Sequence, residues 1–223
     1  MCDCGNKCCS SCTCKSSEVN SGFERKKLRN LFCIVGKSAS GKDSVARLLK
    51  ERLGYKAVVS YTDRPMRDGE TNGVEHYFVS RLEMDKLLER DDILAKTEIN
   101  GNRYCATATS MDLDTKIYII DPAGVEYLSP KAYDLGIKLT VFYIDVDDDI
   151  RYERAVKRGD NEDVIKKRFQ SESEMFDNFH YDCAYNSKDV DMGFLFVYLN
   201  NLNLESLYVD VASEIKRLET RIN

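Results

Sequence analysis

This sequence of 223 residues lacks the features of a membrane or secreted protein. No apolar stretch approaches the roughly 20 residues that cross a bilayer, and the N-terminus has no apolar signal core. An excess of basic residues is also missing, since 33 Lys and Arg stand against 38 Asp and Glu and give a formal net charge of -5. That balance argues against general electrostatic binding of nucleic acid or of an anionic membrane. We expect a cytoplasmic protein that binds any anion at a local site.

Histidine is scarce, because His76 and His180 are the only two. Neither lies in a pattern that calls for proton transfer, and no nucleophile-base pair accompanies them. We interpret His180, in "NFHYD", as a structural residue.

Cysteine is unevenly distributed, with six of the nine in the opening stretch "MCDCGNKCCSSCTCK". A cytosolic setting argues against disulfides, whereas thiolates at C-x-C and C-x-x-C spacing can hold a soft metal such as Zn²⁺. No histidine or second C-x-x-C completes a recognised site, so a disordered tail is the alternative. We expect residues 1–30 to be a Cys-rich tail and linker, and residues 31–223 to be one domain.

Strand-like and helical patterns alternate through the rest of the chain. The runs "LFCIV", "KAVVS", "KIYIID" and "KLTVFYID" are typical of strands buried on both faces, and the segments between them repeat apolar residues every three to four positions. This alternation predicts an α/β domain with a mostly parallel sheet and helices on both sides. The runs "EHYFV", "ILAKTEI" and "NRYCA" break it and predict an inserted antiparallel lobe.

Residues 34–44, "IVGKSASGKDS", join a predicted strand to a predicted helix through a glycine-rich turn. The turn Gly36-Lys37-Ser38-Ala39-Ser40-Gly41-Lys42 has the G-x-x-x-x-G-K spacing of a phosphate-binding loop. Such a loop points backbone N–H groups at phosphate oxygens, and its lysine reaches the terminal phosphates. We therefore predict that residues 36–44 bind ATP and that Lys42 takes part in catalysis.

The hydroxyl that usually follows the loop lysine is displaced by one position, because Asp43 comes first and Ser44 second. Asp43 either favours the first helical turn through the helix dipole or contacts Mg²⁺ directly or through water. We assign Mg²⁺ to Ser44, with Asp43 as a further candidate ligand.

A second candidate anion site lies in the turn-rich segment "SYTDRPMRDGETNGVEHYF". Arg64 and Arg67 can form bidentate bonds to a phosphate, and Ser60, His76 and Tyr77 can add neutral hydrogen bonds. Two solvated surface arginines are the alternative interpretation.

Together with the phosphate loop and the inserted lobe, this segment resembles the guanylate kinase family. The family's acceptor segment, S-x-T-T-R-x-x-R-x-G-E-x-x-G-x-x-Y-x-F, is matched here by Ser60-Tyr61-Thr62-Asp63-Arg64, Arg67, Gly69-Glu70, Gly73 and Phe78. Its G-N-Y-Y-G-[ST] is matched by Gly101-Asn102-Arg103-Tyr104-Cys105-Ala106. The resemblance extends from residue 31 to about residue 186.

The resemblance implies a P-loop NTPase-type three-layer α/β sandwich with a parallel sheet core. It adds a small mixed-β lobe for the nucleoside monophosphate (NMP), about residues 60–106, and a short helical lid, about residues 151–168. By position it assigns Ser60, Arg64, Arg67 and Tyr104 to the acceptor phosphate. It implies an ATP- and Mg²⁺-dependent NMP kinase that acts on GMP or dGMP, with nucleotides as partners and protein partners unknown.

The lid candidates carry arginines at helical spacing in "RYERAVKRGDNEDVIKKRF". Arg154 and Arg158 are four residues apart and Arg168 follows, which matches the family's R-x-x-x-R-G and later K-R. Phosphoryl transfer spreads negative charge over the migrating group, so cations placed there stabilise the transition state. We predict catalytic roles for these three arginines, with a solvated helix face as the alternative.

Base recognition departs from the family pattern. The family's base-recognising glutamate falls on Ala95, and its following hydroxyl falls on Ala106. Asp121 keeps a position that contacts the base in the family, or else caps the helix that starts at Pro122, and Glu98 can face the pocket from a strand.

These departures leave two alternatives to guanylate kinase activity. One is an NMP kinase with a different base preference. The other is a non-catalytic guanylate kinase-like module that binds proteins.

Overall fold

The computed structural model of the protein describes residues 29–112, 114–132, 134–177, 179, 194–200 and 203–220. The six cysteines of the opening stretch and His180 lie outside the described residues. Zn²⁺ binding by that stretch therefore stays a prediction.

The described residues form nine strands and six α-helices. The strands are β1 (Arg29–Val35), β2 (Lys56–Ala57), β3 (Ser60–Thr62), β4 (His76–Phe78), β5 (Ile93–Ile99), β6 (Asn102–Thr107), β7 (Thr115–Ile119), β8 (Ile137–Asp145) and β9 (Phe194–Asn200). The helices are α1 (Lys42–Leu53), α2 (Arg81–Leu88), α3 (Pro122–Ala132), α4 (Asp148–Lys157), α5 (Glu162–Asp177) and α6 (Leu204–Thr220).

The core is a five-stranded sheet in the order β2-β7-β1-β8-β9, and all its strand pairs are parallel. Side chains alternate across β1, so Phe32 and Ile34 join an apolar cluster with α1 and α6. Leu31, Cys33 and Val35 join a second cluster with α3 and α5 on the other side. Helices therefore cover both faces of the sheet, and the predicted three-layer α/β sandwich is confirmed.

A second sheet of four strands, in the order β4-β3-β6-β5, forms the inserted lobe. Its β3–β6 and β5–β6 pairs are antiparallel, but β3 and β4 run parallel, with Tyr61 opposite Tyr77. The long loop between β3 and β4 allows this crossover. The lobe is therefore mixed, as the family resemblance implied, and not purely antiparallel, as the strand patterns alone predicted. Helix α2 packs on this sheet through Met84, which contacts a cluster containing Ile93 and Cys105.

The carboxyl ends of the core strands carry the segments that matter for function. The phosphate loop joins β1 to α1, Asp121 follows β7, and α4 follows β8. Ligands of parallel α/β sheets bind at this edge. Among the residues that the structure describes, every helix is too short or too polar to cross a bilayer.

Candidate active site

A cleft of about 510 Å³ lies at this edge of the core sheet and extends to the inserted lobe. It is lined by the predicted residues Gly36, Ser38, Ala39, Lys42, Asp43, Ser60, Arg64, Arg67, His76, Tyr104, Asp121, Arg158 and Arg168. The other predicted residues, Lys37, Ser40, Gly41, Ser44, Tyr77, Glu98 and Arg154, are described by the structure but do not line it. Three separate sequence segments thus contribute cations to one cleft.

The phosphate loop needs glycine at two positions for different reasons. A Cβ on Gly36 would lie 2.6 Å from Ser40 Oγ and 2.8 Å from the carbonyl oxygen of Ile144, so the backbone can approach only without a side chain. Gly41 is the N-cap of α1 and has a φ of 98°, a left-handed conformation that favours glycine. The N-terminus of α1, where the first N–H groups have no partner within the helix, therefore lies at the cleft and favours the binding of an anion.

Lys42 and Asp43 open α1, with Lys42 Nζ 3.5 Å from Asp43 Oδ2. The Lys42 ammonium lowers the pKa of the Asp43 carboxyl, so Asp43 is ionised at neutral pH. Its side chain is 74% exposed, which leaves it accessible to a cation in the cleft.

The first turn of α1 offers oxygen donors that suit Mg²⁺, namely the Asp43 carboxylate and the Ser44 hydroxyl. No group of three or more His, Cys, Asp or Glu side chains that could hold a metal occurs within the described residues. An Mg²⁺ ion there would take most of its ligands from phosphate and water, as Mg²⁺ commonly does.

Two of the three lid arginines converge on one carboxylate that the sequence analysis did not single out. Arg158 Nε donates to Asp160 Oδ1 at 3.0 Å, and Arg168 Nη1 lies 3.5 Å from Asp160 Oδ2. The hydrogen bond from Arg158 lowers the pKa of Asp160, and the charges of Arg168 and Arg67 add to this effect. Asp160 therefore holds two lid cations beside an acceptor-site cation.

Arg154 is placed differently from Arg158, although both were predicted on one helix face. Arg154 Nη1 lies 3.4 Å from the carbonyl oxygens of Ala39 and Ser40, on the backbone of the phosphate loop. Arg158 is the C-cap of α4 and reaches the cleft wall. The helix end therefore separates the two side chains.

Arg64 is buried and forms a bidentate pair with Glu70. Its Nη1 and Nη2 donate to the two carboxylate oxygens at 2.7 and 2.6 Å, and Glu70 also accepts the Arg67 N–H at 2.8 Å. Burial alone would raise the pKa of Glu70, but the bonds from Arg64 and Arg67 outweigh it and bring the pKa to about 2. Glu70 thus fixes the guanidinium of Arg64 and the backbone of Arg67.

Arg67 stands in a strongly positive environment. Loss of hydration lowers the pKa of its guanidinium, and the like charges of Arg64 and Arg168 lower it further. The charge of Glu70 opposes this lowering. Arg67 is thus close enough to Arg64 and Arg168 to be repelled by both, and an anion beside it would relieve that repulsion.

His76 completes the polar wall of the acceptor end. Its Nδ1 lies 2.9 Å from Ser60 Oγ, and its ring meets the Tyr104 ring edge-on at 5.6 Å. Burial lowers the pKa of His76, and the charge of Arg64 lowers it further, so the ring is neutral at pH 7. Tyr77 points to the other face of β4 and stacks on Tyr61 at 5.1 Å.

Ala95 on β5 lines the cleft, but Ala106 on β6 does not. Ala95 and Ala106 are directly opposite each other on β5 and β6, and both are buried. Lys96 and Thr97 on the same strand also line the cleft, whereas Glu98, which was predicted to face it, does not.

Asp121 caps a helix and also lines the cleft, and its contact with a base stays a prediction. Its Oδ1 accepts the Gly124 N–H at 2.8 Å at the start of α3. Burial raises the pKa of Asp121, and hydrogen bonds from Gly124 and the Thr97 hydroxyl oppose that rise.

Comparisons with known proteins agree with this architecture. The family model "Guanylate kinase" matches residues 28–194. The guanylate kinase of Neisseria gonorrhoeae is 32% identical over 149 residues, which cover 62% of this chain and 70% of that protein. The guanylate kinase of Nitrobacter winogradskyi is 28% identical over 180 residues, which cover 78% of this chain and 81% of that protein.

A solved structure supports the fold independently. The crystal structure of guanylate kinase from Anaplasma phagocytophilum superposes with a TM-score of 0.58 at 18% identity and covers 86% of this chain and 87% of that chain. The matched residues 28–194 contain the phosphate loop, the acceptor lobe and the lid arginines. This chain belongs to the guanylate kinase family.

Proposed function

We propose that the protein is an ATP- and Mg²⁺-dependent nucleoside monophosphate kinase that transfers the γ-phosphate of ATP to GMP or dGMP. One observation carries the proposal: Lys42, the acceptor arginines and two lid arginines line a single cleft. Guanylate kinase relatives supply the acceptor to test first. Because the proposed substrates are dissolved nucleotides, we also propose that the protein acts in the cytoplasm.

The proposed roles follow from charge and position. Lys42 and the N–H groups at the start of α1 would bind the donor phosphates. The acceptor phosphate would be held by Ser60, Arg64, Arg67, His76 and Tyr104. The acceptor is already an anion, so the reaction needs aligned phosphates and well-placed cations rather than a strong base.

The lid arginines would stabilise the charge that develops on the migrating phosphoryl group. Arg158 and Arg168 are held by Asp160 at the cleft wall, so little reorganisation is needed when the reaction occurs. Mg²⁺, when bound, neutralises phosphate charge, and Ser44 with Asp43 are the residues that would hold it.

These cations favour catalysis over the protein-binding alternative. A module that only presents its acceptor lobe to a partner has no use for Lys42, Arg158 and Arg168 together in a cleft. Base preference is a separate question, because Ala95 and Ala106 offer guanine no carboxylate or hydroxyl.

A coupled assay that detects ADP tests the proposed function. Purified protein should convert ATP and GMP to two diphosphates when Mg²⁺ is present, and Lys42→Ala should abolish this activity. Lys50→Ala, an exposed change on the same helix, should leave it intact. Turnover of another monophosphate instead of GMP would revise the acceptor, and no turnover of any monophosphate would overturn the proposal.

A further inference from the structure

Two residues outside the phosphate loop form hydrogen bonds with Ser38 of the loop. Ser38 N donates to Glu172 Oε1 at 2.8 Å, and the Ser38 hydroxyl donates to the same oxygen. On the other side of the residue, Arg151 Nε donates to the Ser38 carbonyl oxygen at 2.9 Å. Arg151 Nη2 and Glu172 Oε2 close the arrangement at 2.5 Å. We call these three residues the Ser38 clamp.

The clamp is buried and has several supporting contacts. Arg151 is 1% exposed, and its guanidinium also pairs with Asp148 and stacks on the Phe169 ring, 4.0 Å from the ring centre. The Glu172 side chain is 13% exposed. Removing one partner of a buried ion pair is costly because it leaves the other charge without compensation. Glu172 is therefore firmly held, and a nucleotide phosphate would not easily displace it.

This arrangement changes the role expected for Ser38. The sequence pattern places Ser38 among the ATP-binding residues, but its N–H and hydroxyl already donate to a carboxylate. A phosphate oxygen at the same point would meet the negative charge of Glu172. Ser38 is thus an anchor of the loop, and the residues that follow it would bind the donor phosphates.

Two residues after the anchor have left-handed backbone conformations. Ala39 has a φ of 61°, which is unfavourable for a residue with a side chain, and Gly41 has a φ of 98°. Such backbone conformations persist where surrounding contacts fix them. The clamp provides those contacts immediately before Ala39, so it helps to set the direction of the N–H groups that lead into α1.

We propose that Arg151 and Glu172 are positioning residues that preorganise the phosphate loop for the donor phosphates. They act through Ser38: Arg151 does not line the cleft, and Glu172, which does, has its two carboxylate oxygens engaged by Ser38 and Arg151. The inference rests on the proposed function in one respect, because it takes the loop to be the ATP site. The Ser38 clamp also joins the phosphate loop to α4 and α5, the helices on either side of Arg158 and Asp160.

Kinetics with the full-length protein test the clamp. Glu172→Ala should raise the KM for MgATP on the order of tenfold, the size expected when a charged hydrogen bond is lost, and should leave the KM for GMP within about twofold. Glu172→Gln should have a smaller effect, because its amide oxygen can still accept the Ser38 N–H. Glu174→Gln, an exposed change on the same helix, is the matched control and should behave like the wild type.

Direct titration with MgATP separates this inference from the proposed function. If the wild type binds MgATP but turns over no monophosphate, the proposed function fails, and a weakened MgATP affinity in Glu172→Gln still supports the clamp. Thermal unfolding shows whether the variants fold. Equal losses for both substrates in Glu172→Ala, or a MgATP affinity that is unchanged or tighter in that variant, would each overturn the inference.

Discussion

The two carboxylate oxygens of Glu70 accept hydrogen bonds from the two terminal nitrogens of Arg64, at 2.6 and 2.7 Å. Both side chains are largely shielded from solvent, with 7% of Arg64 and 15% of Glu70 exposed. The Arg64 guanidinium also lies over the Phe78 ring, 5.2 Å from its centre. The acceptor-site arginine is therefore held in one orientation before any phosphate arrives.

Glu70→Gln tests whether this orientation serves acceptor binding. The amide keeps the shape of the carboxylate but loses its charge and one acceptor atom, so Arg64 should be less firmly held. We expect the KM for the monophosphate to rise about tenfold, with little change in the KM for ATP. Asp68→Asn, an exposed change in the same loop, is the control, and equal effects of the two variants would contradict the prediction.

The same pair makes stability depend on pH in acid. The pKa of Glu70 is about 2 in the folded protein and 4.5 for an ordinary glutamate. Between pH 2 and pH 4.5 the folded state therefore binds fewer protons than the unfolded state. The contribution of Glu70 is thus complete above pH 4.5 and is lost as the pH falls toward 2. It amounts to about 3 kcal/mol at most. Urea unfolding between these pH values should show a flatter pH dependence for Glu70→Gln than for the wild type.

The lid arginines should contribute mainly to the rate of phosphoryl transfer. Arg168→Met removes a cation that the structure places at the cleft wall, and we expect kcat to fall on the order of a hundredfold. Lys166→Met, on the same helix and 69% exposed, should retain nearly full activity. Similar losses in both variants would indicate that the helix, and not the position of the charge, is responsible.

Local patterns in the sequence were sufficient to predict the fold and the phosphate loop. The alternating burial of β1 and the G-x-x-x-x-G-K spacing are properties of neighbouring residues, so the sequence displays them directly. The parallel pairing of β3 with β4 was missed, because it depends on how a long loop closes.

Contacts between distant segments could not be predicted in the same way. Glu172 bonds to Ser38 across 134 residues, and no pattern near either residue indicates this contact. Tyr77 and Glu98 were predicted beside the cleft but do not line it, and adjacent residues of a strand point to opposite faces. The neighbours His76 and Thr97 line the cleft instead.

Base recognition offers a further test, because Ala95 lines the cleft with Thr97 and Asp121, and the buried Ala106 is opposite Ala95 on β6. Neither methyl group can accept the N1–H and N2–H₂ hydrogen bonds of guanine. The double variant Ala95→Glu, Ala106→Ser restores a carboxylate and a hydroxyl, and it should raise the kcat/KM for GMP relative to IMP, which lacks the 2-amino group, by about tenfold. Thermal unfolding must show that the buried carboxylate is tolerated. A folded variant with an unchanged GMP to IMP ratio would mean that this end of the cleft does not contact the base.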